Sequence, residues 1–147
     1  EIDAIMAARQ PASSRTDPEV VRLIPDFRTV EQDWFRRTGI FPIMHTVVIR
    51  EALYDENPWI AQSLFTAFEA SKEKAREQMR YTGAMMYMTP LLYDDLEEMD
   101  RVFGGDDPWP YGLEANRAHL GTFMRHLVEE AFLPGPTSLD DLFVAVE

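Results

Sequence analysis

Apolar and polar positions along the chain fall into blocks with different periods. Residues 2–7 form a short apolar run that predicts a strand, and Arg9 to Asp17, with Pro11 and Ser13-Ser14, predicts a loop. Val20 to Ile24 is a second short apolar run, closed by Pro25. Thr29 to Thr38 carries Val30, Trp34 and Phe35 at near-helical spacing, and Gly39 stands where a helix C-cap is expected. Ile40 to Ile49 is almost continuously apolar and β-branched towards its end, as suits a strand buried on both faces; Pro42 has no N–H, so pairing should begin after it.

The second half has the period of helices. Asn57-Pro58 is a helix start, and Ile60, Leu64, Phe68, Ser71, Ala75 and Met79 form one face of a long helix. Glu69, Lys72, Glu73, Arg76 and Glu77 form its solvated side. A shorter helix covers about Tyr93 to Phe103 and stops at Gly104-Gly105. A further helix runs from about Leu113 to Phe132 with Leu113, Leu120, Phe123 and Leu127 inward; Pro134-Gly135-Pro136 ends it, and a capped turn follows from Ser138 to Phe143. The expectation is a helix-rich α/β chain with two or three strands, too few and too far apart to build a sheet alone. Together with the start at Glu1, inside an apolar run, this reads as a fragment whose amino-terminal part is missing.

Hydrophobic residues make up 46% of the 147, which allows a sizeable core, and no run approaches the roughly 18 apolar residues needed to span a membrane. Lys plus Arg is 14 against 26 Asp plus Glu, a net charge of −12. That balance argues against nucleic acid and anionic membranes as partners, while a few local arginines still allow a small anionic ligand in a cleft. With no cysteine, disulfides and thiolate-bound metals are excluded.

Several residues have two readings. His45, in mid-strand, is either a satisfied structural histidine or an acid–base group facing a cleft. Arg36-Arg37-Thr38 is either a solvated pair at a helix end or a carboxylate clamp. Asp106 to Gly112 (Asp-Asp-Pro-Trp-Pro-Tyr-Gly) is either an Ω-type turn with Trp109 and Tyr111 pinned into the core or an aromatic wall beside a ligand. His119, Phe123, His126 and Glu130 share a helical stripe, but not at metalloprotease spacing and without a third helical ligand, so no metal is expected. Met85, Met86 and Met88 read as adaptable packing. Gly-rich phosphate loops, nucleophile elbows and kinase signatures are absent from the sequence.

Arg37-Thr38-Gly39-Ile40-Phe41-Pro42-Ile43-Met44-His45 resembles a motif of the 4,5-dihydroxyphthalate decarboxylase family. So do Pro58-Trp59, Ala67-Phe68, the stretch Gly104 to Gly112, Glu114-Ala115-Asn116-Arg117 and the opening Glu1-Ile2-Asp3-Ala4. The resemblance covers nearly the whole chain in order. It implies a two-lobed fold similar to type 2 periplasmic binding proteins, of which this chain would be the carboxy-terminal portion. Residues 1–39 would end the second lobe and cross the hinge, and residues 40–147 would complete the first lobe.

The implied activity is loss of CO2 from 4,5-dihydroxyphthalate to give 3,4-dihydroxybenzoate, in the cytoplasm and without an organic cofactor. His45 is the expected acid or base, Arg37 and Thr38 the carboxylate contacts, and Tyr111 the ring contact. The rival reading is a periplasmic solute-binding protein that captures a small organic anion without chemistry, because a fold does not fix a function. Homo-oligomerisation, or pairing with the missing half, would cover the exposed strand edges.

Overall fold

The computed structural model describes residues 3–84 and 86–146. Ile2 at the head of the first apolar run, the motif residues Glu1 and Ile2, and Met85 of the methionine group lie outside the described residues, as does Glu147.

Five α-helices follow in order: α1 (Phe27–Thr38), α2 (Glu51–Glu56), α3 (Trp59–Arg80), α4 (Leu92–Phe103) and α5 (Leu113–Glu129). Short 3-10 turns cover Ala12–Arg15 and Leu139–Asp141. α1 and α4 end as the glycines foretell: Gly39 at φ 66° and Gly104 at φ 71° take the left-handed conformation, and each donates its N–H back into the last helical turn. Asn57 closes α2 rather than capping α3 through its side chain. α2 itself was not foreseen, since six residues carry too little period to read.

Helix-richness is as expected; the strands are not there. Among the described residues no strand occurs, and residues 3–7, 20–24 and 40–50 run as irregular chain. The physical reason lies in the ladder: a strand exists only where a neighbour takes up its N–H and C=O groups, and the described residues supply none. The β-branched end of the expected strand is accordingly bare, with Val48 87% exposed.

α3 packs against α2 and α4. An Arg80 fork reaches Asp100 at 2.9 and 2.5 Å and fixes α3 to α4. Arg28 pairs with Asp95 and Glu98, and Gln32 donates to Glu98 at 2.7 Å, fixing α1 to α4. The carboxy-terminal core is Leu113, Leu120 and Leu139, with Met124 and Phe143 packed on it. Leu113 and Leu120 are seven residues apart and share one face of α5. Phe123, expected inward, is exposed, because its position falls off that face. Ser138 accepts from the Asp140 N–H at 3.2 Å, so the capped turn after α5 forms as expected. No helix among the described residues is long and apolar enough to cross a membrane.

Candidate functional site

The two longest motifs meet in space. Phe41, from Thr38–His45, stacks edge-on against Phe103 of α4 at 5.4 Å and against Trp109 of the Asp106–Gly112 loop at 5.7 Å. Phe35 of α1 closes the group on Phe103 at 4.5 Å. Edge-to-face and tilted pairs of this kind add roughly 0.5–1.5 kcal/mol each beyond the area they bury. Phe35, Phe41 and Phe103 of this group line a cleft of about 500 Å3 between α1, residues 40–44 and α4, with Trp109 behind Phe41.

The cleft is apolar on most sides. Trp34, Phe35, Phe41, Met44, Met99 and Phe103 line it, and at one corner stand Arg28, Gln32, Asp95 and Glu98. A concave apolar wall with a few convergent polar groups is what a small aromatic ligand requires. A second hollow, of about 470 Å3, lies between α3 and the end of α4 beside Arg76, Arg80, Asp100 and Arg101. Two of its three guanidinium groups already serve carboxylates: Arg80 serves Asp100 and Arg76 serves Glu73.

The four residues singled out in the sequence do not converge into one hydrogen-bonded constellation. His45 is exposed, one residue beyond Met44 of the cleft, and its ring makes no hydrogen bond among the described residues. An exposed, unbonded ring does not match the structural reading, which required a buried and satisfied histidine; the strand that both readings assumed is absent among the described residues. Arg37 lies over the Trp34 ring at 5.9 Å. The Thr38 hydroxyl donates to the Trp34 carbonyl at 2.8 Å and accepts from the Ile40 N–H at 3.1 Å, shaping the exit from α1. His119 binds the Gly39 carbonyl through Nε2 at 2.8 Å, joining α5 to that exit. His126 pairs with Glu129 instead, so the histidine stripe of α5 divides between two tasks.

Tyr111 belongs to a different assembly, which the sequence reading missed. Lys72, assigned above to the solvated side of α3, is only 10% exposed in its side chain. Its ammonium donates to Asp107 at 2.5 Å, Glu69 at 2.9 Å and the Trp109 carbonyl at 3.1 Å, and it sits 3.9 Å from the centre of the Tyr111 ring. Asp107 also accepts from the Trp109 N–H at 3.0 Å. Downstream, the Asn116 amide donates to the carbonyls of Pro110 (2.6 Å) and Gly112 (2.9 Å). The loop is thus fastened at both ends. Pro108 is buried while Trp109 and Tyr111 stay about half exposed, so the loop is a fixed turn that presents its rings. No sequence signal links Lys72 to a loop thirty-five residues on; only i, i+3 pairing with Glu69 is visible, and that pattern normally marks a surface.

Burial alone would lower the Lys72 pKa, but its bonds to Asp107 and Glu69 outweigh burial and raise it. Burial would raise Asp107, yet the Lys72 bond and the Trp109 N–H hold it below the usual carboxylate value. A depressed carboxyl stabilises the fold above its unfolded pKa, near 3.9, and that contribution is lost as pH falls through the lower folded value. A raised ammonium contributes fully below its unfolded pKa, near 10.4, and loses that contribution only as pH rises through the still higher folded value. The gap in melting temperature between wild type and Asp107→Asn is therefore expected to be constant from about pH 5 to 9, and to close in acid below about pH 4. Melts recorded from pH 9 to pH 2 check this; a gap that persists unchanged at pH 2 would show that the charge of Asp107 is not what holds the loop.

No family model matches the chain. It is 36% identical over 121 residues to a protein of Comamonas testosteroni named 4,5-dihydroxyphthalate decarboxylase, a match covering 82% of this chain and 36% of the relative. The chain therefore spans about a third of the length of that curated relative. Across most of its own length, the chain is thus similar to a protein bearing the name of the family that its motifs resemble.

Proposed function

We propose that the protein carrying this chain decarboxylates a dihydroxylated aromatic dicarboxylic acid, 4,5-dihydroxyphthalate, to 3,4-dihydroxybenzoate, as a step in aromatic catabolism. The observation that carries the reading is the junction of the two motifs: Phe41 and Trp109 stack where an aromatic-lined cleft opens. The name of the Comamonas relative supports the substrate class.

The chemistry asks for three things. An aryl carboxylate leaves once its ring carbon is protonated, and the hydroxyl para to that carbon releases electron density to the cationic ring. The carbon–carboxyl bond then breaks, its electron pair returns to the ring, and CO2 departs, so that one proton has replaced CO2. A proton donor near the ring, a base near the hydroxyl and cations for the carboxylates are needed. His45 is the proposed acid, beside the Met44 wall. Arg37 and Thr38, at the end of α1, are the proposed carboxylate contacts, and Tyr111 offers the substrate ring the face that Lys72 leaves open.

The proposed setting is a two-lobed α/β molecule like the type 2 periplasmic binding proteins. Residues 1–39 end one lobe and cross the hinge; residues 40–147 complete the other, with strands from the rest of the protein pairing along residues 43–49. The bare side chains of Met44, Val47 and Val48 support this arrangement. Incubating full-length protein with 4,5-dihydroxyphthalate and following 3,4-dihydroxybenzoate by chromatography is the test. Product at catalytic turnover is expected. Binding of the acid without product would replace the enzyme with a solute-binding protein.

A further inference from the structure

We infer that Lys72 is a positioning residue for the aromatic wall of the cleft, acting through the Asp107–Tyr111 turn. The inference rests on the aromatic-acid reading above and adds to it a residue on the far side of the wall.

The path can be followed atom by atom. Lys72 emerges from mid-α3, a rigid helix of 22 residues. Its ammonium has three donors, and all three find acceptors: the carboxylates of Glu69 and Asp107 and the carbonyl of Trp109. The open direction is covered by the Tyr111 ring. A cation this enclosed needs all its partners, because removing any one leaves a nearly buried polar group unmatched. Two of the contacts are to the residues whose rings the turn presents. Fixing the Trp109 carbonyl fixes where the Trp109 ring meets Phe41, and Phe41 is cleft wall. Covering one face of Tyr111 adds a second tie between Lys72 and the turn. Arg76 adds a weaker tie to Asp107 at 3.8 Å, from the next turn of the same helix. The carboxylates facing Lys72 thus come from α3 (Glu69) and the turn (Asp107), with Arg76 the neighbouring cation.

A residue that only held the fold would, when lost, lower the fraction of active enzyme. That reads as a fall in kcat with KM unchanged. A residue that positions the binding wall instead raises KM while the chemistry of each bound molecule continues. In full-length protein, Lys72→Met is expected to raise KM for 4,5-dihydroxyphthalate about tenfold, with kcat within about twofold of wild type. Amide hydrogen exchange in a peptide spanning residues 104–112 is expected to quicken at least about tenfold, as the turn loses its anchor. Asp107→Asn keeps the shape and removes the charge pair; it is expected to move both readings the same way by a smaller factor, and serves if Lys72→Met fails to fold. Unchanged KM in a variant that still turns over, or unchanged exchange in residues 104–112, overturns the positioning role alone. Wild-type protein that neither binds nor converts the acid overturns the aromatic-acid reading and the positioning role with it.

Discussion

Full-length protein with His45→Gln is expected to lose about 10²–10⁴-fold in kcat for 4,5-dihydroxyphthalate, the usual contribution of a positioned acid or base. Gln keeps the size and hydrogen-bonding capacity of the side chain but cannot carry a proton at neutral pH. In the 147-residue chain His45 is exposed and makes no hydrogen bond among the described residues, so there its replacement should leave the melting temperature within about 1 °C of wild type. A loss of turnover without a loss of stability would therefore report chemistry. His126→Gln is the matching control: another exposed imidazole, on α5, paired with Glu129 and outside the cleft lining. It is expected to turn over normally. Normal turnover in His45→Gln removes His45 from the reaction and leaves the proton donor to another group.

Local rules carried the helices. Gly39 and Gly104 announce the ends of α1 and α4 because only a residue without Cβ takes φ near +70° freely, and both do so. Leu113 and Leu120 announce the buried face of α5 because their spacing is two helical turns. The period fails where burial is decided by partners beyond the element. Phe123 lies just off the Leu113–Leu120 stripe and ends up 59% exposed. Residues 40–49 have the composition of a covered strand, but composition states only what would be stable if neighbours came; here Val47 and Val48 meet none.

The site was legible at the level of segments and not of contacts. The stretches around Phe41 and Trp109 were picked out as motifs, and their meeting at 5.7 Å gives that choice a physical content. What no rule along the chain could supply is the pairing across sequence distance. Arg28 with Asp95 and Glu98, Gln32 with Glu98, and Lys72 with Asp107 join residues 35 to 70 positions apart. Each of these side chains except Asp107, which lies in a loop, belongs when read locally to the polar face of its helix. Only tertiary packing turns Lys72 from a solvated cation into an enclosed one.

The isolated 147 residues are expected to show no measurable decarboxylation and to associate in solution. The chain matches 36% of the length of its relative, and the proposed reaction needs groups on both sides of a bound ring. One wall is here: α1, α4 and residues 40–44. Several apolar side chains of the irregular segments are bare. Leu23 is 90% exposed, Val21 77%, Met44 72%, Val47 65% and Val48 87%. Covering a side chain of this kind stabilises by roughly 1.5–3 kcal/mol, so five of them together represent a strong drive to find a cover. An unpaired apolar segment finds it most simply along another copy's backbone. Size-exclusion chromatography of the isolated chain should show oligomers that grow with concentration, and dye binding should report exposed apolar surface. Co-expression with the remainder of the protein should return a species of defined size that converts 4,5-dihydroxyphthalate. A monodisperse, catalytically active isolated chain would mean that the cleft between α1 and α4 is a complete site in itself, and that no second wall is required.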